Sequence, residues 1–211
     1  DTARTLQAMN VDLVIVRHAS SGAADFLAQE LRAGVINGGD GQHAHPTQAL
    51  LDLFTLKEKL GGFQGKKIVI VGDVLHSRVA RSNVLGLKKL GAEVVLVGPP
   101  TLLPAEMNYL GVKISYDLDA ELPGADAVMA LRLQLERQQN GLFPSIREYA
   151  KLYGLNLERI RKTGKQTVVM HPGPMNRGIE IASDLAESPL SVIDEQVTNG
   201  VAVRMAVLYL V

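Results

Sequence analysis

Four short stretches carry side chains whose types and spacing could do chemistry. In HAHPTQALLD (43–52) a proline suited to the first turn of a helix places His45 at the N-cap region and Gln48 in the first turn. A helix start offers free N–H groups and partial positive charge, which attract an anion or a polarised carbonyl. There His45 can donate a hydrogen bond, and Gln48 can donate and accept; a plain capped helix with a surface histidine fits the same residues. In GDVLHSRVARSN (72–83) Arg78 and Arg81 fall in the first turns of a helix, where cations oppose the helix dipole. An anionic ligand or an acidic partner would account for one of them, as would simple solvation. DAVMALRLQLER (126–137) puts Arg132 and Gln134 two residues apart, on one side of an extended chain. Arginine is the planar fork suited to carboxylates. VVMHPGPMNRG (168–178) ends an apolar run in a rigid Pro-Gly-Pro loop that fixes its backbone carbonyls, with His171 either a ligand contact or a structural histidine.

Other chemistries find little support. The five histidines are scattered without an H-x-x-x-H pair or a carboxylate cluster, so no metal site is expected. The glycine turn at 72–83 matches neither G-x-G-x-x-G nor a P-loop, and no G-x-S-x-G elbow is present.

The elements that must position these residues follow from periodicity. DLVIVR (12–17) and VIN (35–37) read as strands, with SGAADFLAQELR as a helix between them, and DTARTLQAMN opens the chain as a helix. PTQALLDLFTLKEKLGG reads as a helix whose Leu50, Leu53, Phe54, Leu56 and Leu60 form a wide apolar face, stopped by Gly61. Beyond it KKIVIVGD (66–73), AEVVLVGP (92–99), VKISY (112–116), DAVMALR (126–132) and QTVVMHP (166–172) read as five buried strands. RVARSNVLGLKKLG and LLPAEMNYLG suit the crossover helices between them. Alternation of this kind predicts an α/β fold of two lobes, each a parallel sheet flanked by helices, with the first lobe incomplete. In such sheets ligands sit beyond the carboxyl ends of the strands, which is where Arg17, Arg132 and His171 fall.

The composition agrees with a globular chain. Its 211 residues carry 22 basic and 22 acidic side chains, which gives no electrostatic case for nucleic acid or an acidic membrane. Cysteine is absent, which excludes disulfides and a cysteine nucleophile and fits a cytoplasmic setting. The first residue is Asp1, and the last apolar run, VAVRMAVLYLV, has no stop signal, so both ends read as interruptions of a longer protein.

Taken together, VIVRH (14–18), HPTQALLD (45–52), the GD…SRVARS turn (72–82), ALRLQLER (130–137), HPGPMNRG (171–178) and QVTNGVAVRMA (196–206) resemble the catalytic chain of the aspartate carbamoyltransferase family. The ornithine relatives share the HP-x-Q junction, but HPGPMNRG and RLQLER are similar to the aspartate enzymes. The resemblance implies transfer of the carbamoyl group of carbamoyl phosphate to the amine of L-aspartate, the committed step of pyrimidine synthesis, with no cofactor. It implies a carbamoyl phosphate site of Arg17, His45, Gln48, Gly173 and Pro174, in which Arg17 and His45 are catalytic donors to the carbonyl oxygen. Arg78, Arg132 and Gln134 would hold aspartate. It divides the chain into 1–49, the remainder of a carbamoyl phosphate domain; 50–188, an aspartate domain; and 189–211, a helix returning to the first. It also implies a homotrimer with shared active sites, and a regulatory or dihydroorotase-type subunit as a further partner. The family's Ser-Thr-Arg-Thr phosphate segment and mobile lysine loop have no counterpart in these 211 residues, so the expectation is an enzyme of which this segment alone is inactive. A non-catalytic scaffold homologue and a carbamoyltransferase with another amino-acid acceptor are the competing readings.

Overall fold

The computed structural model describes residues 1–133 and 145–211. The chain opens with α1 (Thr2–Ala8), β1 (Leu13–His18), α2 (Ala23–Glu30) and β2 (Gly34–Asp40). β1 and β2 pair in parallel, with Ile15 opposite Ile36, and α2 crosses over between them. α3 (Pro46–Leu60) then leads to the larger sheet, with Pro46 at its first turn and Gly61 closing it in a left-handed cap.

β3 (Lys67–Val71), β4 (Glu93–Val97), β5 (Lys113–Ser115), β6 (Ala127–Ala130) and β7 (Val168–Met170) form one parallel sheet in the order β5-β4-β3-β6-β7. Their apolar runs are continuous because both faces are covered. Ile68 and Ile70 point into a core with Leu56, Val84 and Leu87 from α3 and α4 (Arg78–Lys89). Val69 and Val71 point into a second core with Tyr149, Leu155 and Ile160, from and beside α6 (Ile146–Tyr153) and α7 (Leu157–Arg161). The strand order turns back at β3: the chain moves outward to β4 and β5, crosses over through α5 (Leu118–Glu121), and returns on the other side of β3 as β6. The carboxyl ends of β3 and β6 thus form a switch point, the usual place for a ligand in an open α/β sheet.

Two expectations need correction. LLPAEMNYLG does not make an α-helix; Pro104 interrupts it, and the stretch forms 3-10 turns over Pro100–Leu102 and Ala105–Leu110. On α3, Leu50 and Phe54 are exposed, and the face against the core instead includes Gln48, Asp52 and Thr55. After α8 (Ser183–Ala186) comes the long terminal helix α9 (Ile193–Leu210), and its apolar stripe is only partly covered. Val192 is buried and Val203 and Val207 half-buried, but Ala206 and Leu210 are exposed. α9 docks on α3 through Gln196, Asn199 and Gly200. Gly200 permits the approach: a Cβ there would stand 3.2 Å from Leu51 Cδ2. The far half of α9 overhangs the first sheet, where Val207 and Leu208 share a cavity with Ile15 and Ile36.

Candidate active site

Arg17, His45, Gln48, Arg78, Arg132, Gly173 and Pro174 line one cleft, together with Ser77, Val79, Pro172 and Arg204. All but Arg204, which lies within α9, come from the end of a strand, the loop after one or the start of a helix. Arg17 lies near the end of β1, and Arg132 lies two residues past β6. Arg78 opens α4, capped by Ser77, whose Oγ accepts from the Ala80 N–H at 3.1 Å. Gln134 falls outside the described residues.

The loop between β2 and α3 is tied down by Asp40. Its carboxylate accepts from the N–H groups of Gly22 at 2.7 Å and Ala44 at 3.0 Å, and from Asn37 Nδ2 at 3.1 Å. Burial pushes Asp40 up, but the hydrogen bonds from Asn37, Gly22 and His43 outweigh it and hold it at about 2. The loop's glycines serve Arg78. Gly39 has φ of +118°, and a Cβ there would lie 2.8 Å from the guanidinium carbon of Arg78. Arg78 Nη1 donates to the Gly41 carbonyl at 3.3 Å.

His45 is buried, and its N–H donates to Ser82 Oγ of α4 at 2.9 Å. Burial and the charges of Arg78, Arg17 and Arg204 lower it to about 4, so the imidazole is neutral at neutral pH. Arg17 Nη1 stands 3.4 Å from His45 Nε2. A guanidinium has no acceptor, so Nε2 accepts and the ring proton sits on Nδ1, facing Thr47 Oγ1 at 3.4 Å. Arg17 also donates to the Gly38 carbonyl at 3.3 Å.

His171 is structural. Its Nδ1 accepts from the Gly173 N–H at 2.9 Å, which leaves the proton on Nε2 to donate to Glu180 Oε2 at 3.0 Å. Glu180 also accepts from the Leu133 N–H at 2.6 Å and from Asn176. The backbone beside Arg132 and the Pro172–Pro174 loop are therefore held by one buried carboxylate.

Sequence reasoning missed Arg204, which lines the cleft from α9. Its signal was a single charge inside the apolar run VAVRMAVLYLV. With Arg17, Arg78 and Arg132 it makes four cations around a cleft whose described lining has no carboxylate. Such a set suits a ligand with more than one anionic group, arginine forks binding carboxylate or phosphate in pairs. Among the described residues no group of histidines and carboxylates could hold a metal ion, and no helix is long and apolar enough to cross a membrane.

A parallel-sheet fold with an arginine-rich cleft beside its switch point is an arrangement suited to small anions. Residues 1–58 match the carbamoyl-P binding domain of aspartate/ornithine carbamoyltransferase, and residues 64–211 match its Asp/Orn binding domain. The chain belongs to the aspartate/ornithine carbamoyltransferase family. It is 71% identical over 210 residues to the aspartate carbamoyltransferase catalytic subunit of Desulfitobacterium hafniense (strain DSM 10664 / DCB-2), covering all of this chain and 67% of that protein. It is 61% identical to the catalytic subunit of Halothermothrix orenii, with the same coverage. Among solved structures, Trypanosoma cruzi aspartate transcarbamoylase in complex with carbamoyl aspartate and phosphate superposes with a TM-score of 0.86 at 28% identity, over 99% of this chain and 68% of that one. Pyrococcus furiosus ornithine carbamoyltransferase gives 0.85 at 30% identity, over 100% and 69%. The chain thus spans about two thirds of the length of its relatives.

Proposed function

We propose that this chain carries the carbamoyl-transfer site for carbamoyl phosphate and L-aspartate, giving N-carbamoyl-L-aspartate and phosphate. The observation that carries this reading is the meeting of Arg17, His45, Gln48, Arg78, Arg132 and the Gly173–Pro174 backbone in one cleft. In the reaction the aspartate nitrogen attacks the carbamoyl carbon and a C–N bond forms. The C–O bond to phosphate breaks, phosphate leaves with the electron pair, and the proton lost by the amine ends on that phosphate or in water.

Negative charge builds on the carbamoyl oxygen as the amine attacks. Arg17 is the donor for it, exchanging its contact with His45 Nε2 for the oxygen; the freed neutral imidazole, by giving its Nδ1 proton to water and taking one at Nε2, can then donate to the same atom. Donors preorganised in this way stabilise the transition state more than the ground state. Gln48 and the backbone at Gly173 and Pro174 orient the carbamoyl nitrogen. Arg78 and Arg132 take the two carboxylates of aspartate, with Gln134 beside Arg132. Two arginines for the acceptor favour a dicarboxylate over a cationic amino acid such as ornithine, and four convergent cations argue against a scaffold. Most of the rate gain is orientation and electrostatics, with no covalent intermediate.

Residues 1–49 act as the remainder of the carbamoyl phosphate domain, 50–188 as the aspartate domain, and 189–211 as the helix that joins them. The cradle for the leaving phosphate belongs to the part of the relatives that this chain does not span, so turnover needs the full-length polypeptide. The reading places that polypeptide in de novo pyrimidine synthesis in the cytoplasm, as a homotrimer with shared sites and a regulatory or dihydroorotase-type partner. Assay of the full-length chain with carbamoyl phosphate and either aspartate or ornithine tests it. Carbamoylation of aspartate alone is expected; turnover of ornithine alone, or of neither, contradicts it.

A further inference from the structure

Asp52 is fully buried in α3, and the reaction described above gives it no part. Its carboxylate accepts three side-chain amide hydrogen bonds. Gln48 Nε2 donates to Oδ1 at 3.1 Å, Gln196 Nε2 to the same oxygen at 2.8 Å, and Asn83 Nδ2 to Oδ2 at 2.8 Å. An amide NH2 only donates and an ionised carboxylate only accepts, so each contact dictates which end of the amide faces Asp52.

The consequences reach the cleft by three routes. Gln48 lines the cleft, and with its Nε2 held by Asp52 its Oε1 is the end left for a ligand. Gln196 turns its Oε1 to the His171 N–H at 3.0 Å, one residue before the Pro172–Pro174 loop. Asn83 also donates to the carbonyl of Val79, the residue after Arg78, at 3.1 Å.

We propose that Asp52 is a positioning residue that locks the Gln48 amide with its oxygen toward the cleft and ties α3, α4 and α9 to the Pro172–Pro174 loop. A carbamoyl NH2 has only donors, so it needs the acceptor end of Gln48; an inverted amide would set NH2 against NH2. This inference rests on the functional reading above.

The lock is complete only in the ionised form: a proton on Oδ2 would set a donor against the Asn83 NH2 and leave a less basic Oδ1 to hold both glutamines. Burial raises Asp52 to about 6, with the hydrogen bonds from Asn83, Gln196 and Gln48 and the charge of Arg204 pulling the other way. Arg204 of α9 is the charged group acting on it, while Gln48 of α3 and Asn83 of α4 face it with neutral amides.

Steady-state kinetics of the full-length chain, varying each substrate from about pH 5 to about pH 9, test the proposal. Asp52→Leu removes both acceptor oxygens and keeps the branched outline of the side chain, so kcat/KM for carbamoyl phosphate should fall about 10-fold or more, with KM for aspartate within about twofold. Asp52→Asn keeps one acceptor for the two glutamines, and Asn83 can turn its Oδ1, which has no hydrogen-bond partner among the described residues, toward the new NH2. Its loss should be intermediate, and the acid limb near pH 6 expected of the unsubstituted chain should vanish. Equal losses for both substrates, no loss in a folded Asp52→Leu, no such limb in the parent, or a limb kept in Asp52→Asn each overturn the proposal. Should Asp52→Leu fail to fold by circular dichroism, Gln196→Met carries the kinetic test with the same split between substrates. If the unsubstituted chain does not carbamoylate aspartate, the functional reading fails; calorimetric binding of carbamoyl phosphate to the same variants then decides the inference.

Discussion

Arg132 and His45 separate binding from chemistry at the level of single residues. Arg132→Ala removes a charge-assisted fork from one carboxylate of the acceptor, a loss of about 2–5 kcal/mol in a partly desolvated site. It should raise KM for aspartate and leave carbamoyl phosphate binding nearly unchanged. His45→Ala removes a donor to the developing oxyanion, so kcat should drop about 10²-fold with little change for aspartate. Kinetics with each substrate varied in turn check both, and an Arg132→Ala variant weakened equally toward both substrates would remove the assignment. His45 and Asp52 also pull stability in opposite directions with pH. The folded state lowers His45 to about 4 from 6.5, so the unfolded chain binds more protons in that window and stability rises with pH across it. Asp52 is raised from 3.8 to about 6, so the folded state binds more protons there and stability falls as pH rises through that range. Asp52→Asn cannot titrate. Its stability relative to the parent should therefore grow between about pH 4 and about pH 7, by on the order of 3 kcal/mol. Urea unfolding at several pH values measures it; a difference that stays flat would mean that Asp52 is not held above its ordinary value.

Helices and strands differ in how openly the sequence announced them. β3, β4 and β6 are legible because each is a short unbroken apolar run, as a strand covered on both faces must be. Arg17 and Arg132 are legible because a charge at the end of such a run has few reasons to be there. Asp52, Gln196 and Arg204 are not, because a lone polar residue on a helix reads as a solvated one until the packing partner is known. The same ambiguity misplaced Leu50 and Phe54, whose spacing fits an apolar face that α3 leaves exposed while it buries Gln48, Asp52 and Thr55. α9 shows the converse: apolar residues surround it, yet the contact with α3 is made at Gln196, Asn199 and Gly200. Gly200→Leu would push into Leu51, which is buried, so it should destabilise the fold by about 1–3 kcal/mol by overpacking. A lowered melting temperature checks this; an unchanged one would mean that α9 docks on α3 more loosely than the structure shows.

Across the whole molecule, two parallel sheets aim their carboxyl ends at one cleft, and α9 bridges them by resting on α3 and reaching over β1 and β2. The cleft collects residues from position 17 to position 204, so neither sheet makes the site by itself. That convergence is the central claim. Its most direct test is a crystal structure of the full-length chain with N-(phosphonacetyl)-L-aspartate, which joins a phosphonate to an aspartate in one molecule. Arg78 and Arg132 should sit on the two aspartate carboxylates and Arg17 and His45 on the amide oxygen, with the Gly173–Pro174 backbone beside the amide. The compound bound outside this cleft, or inside it with Arg78 and Arg132 beyond hydrogen-bond reach of the carboxylates, would contradict the account.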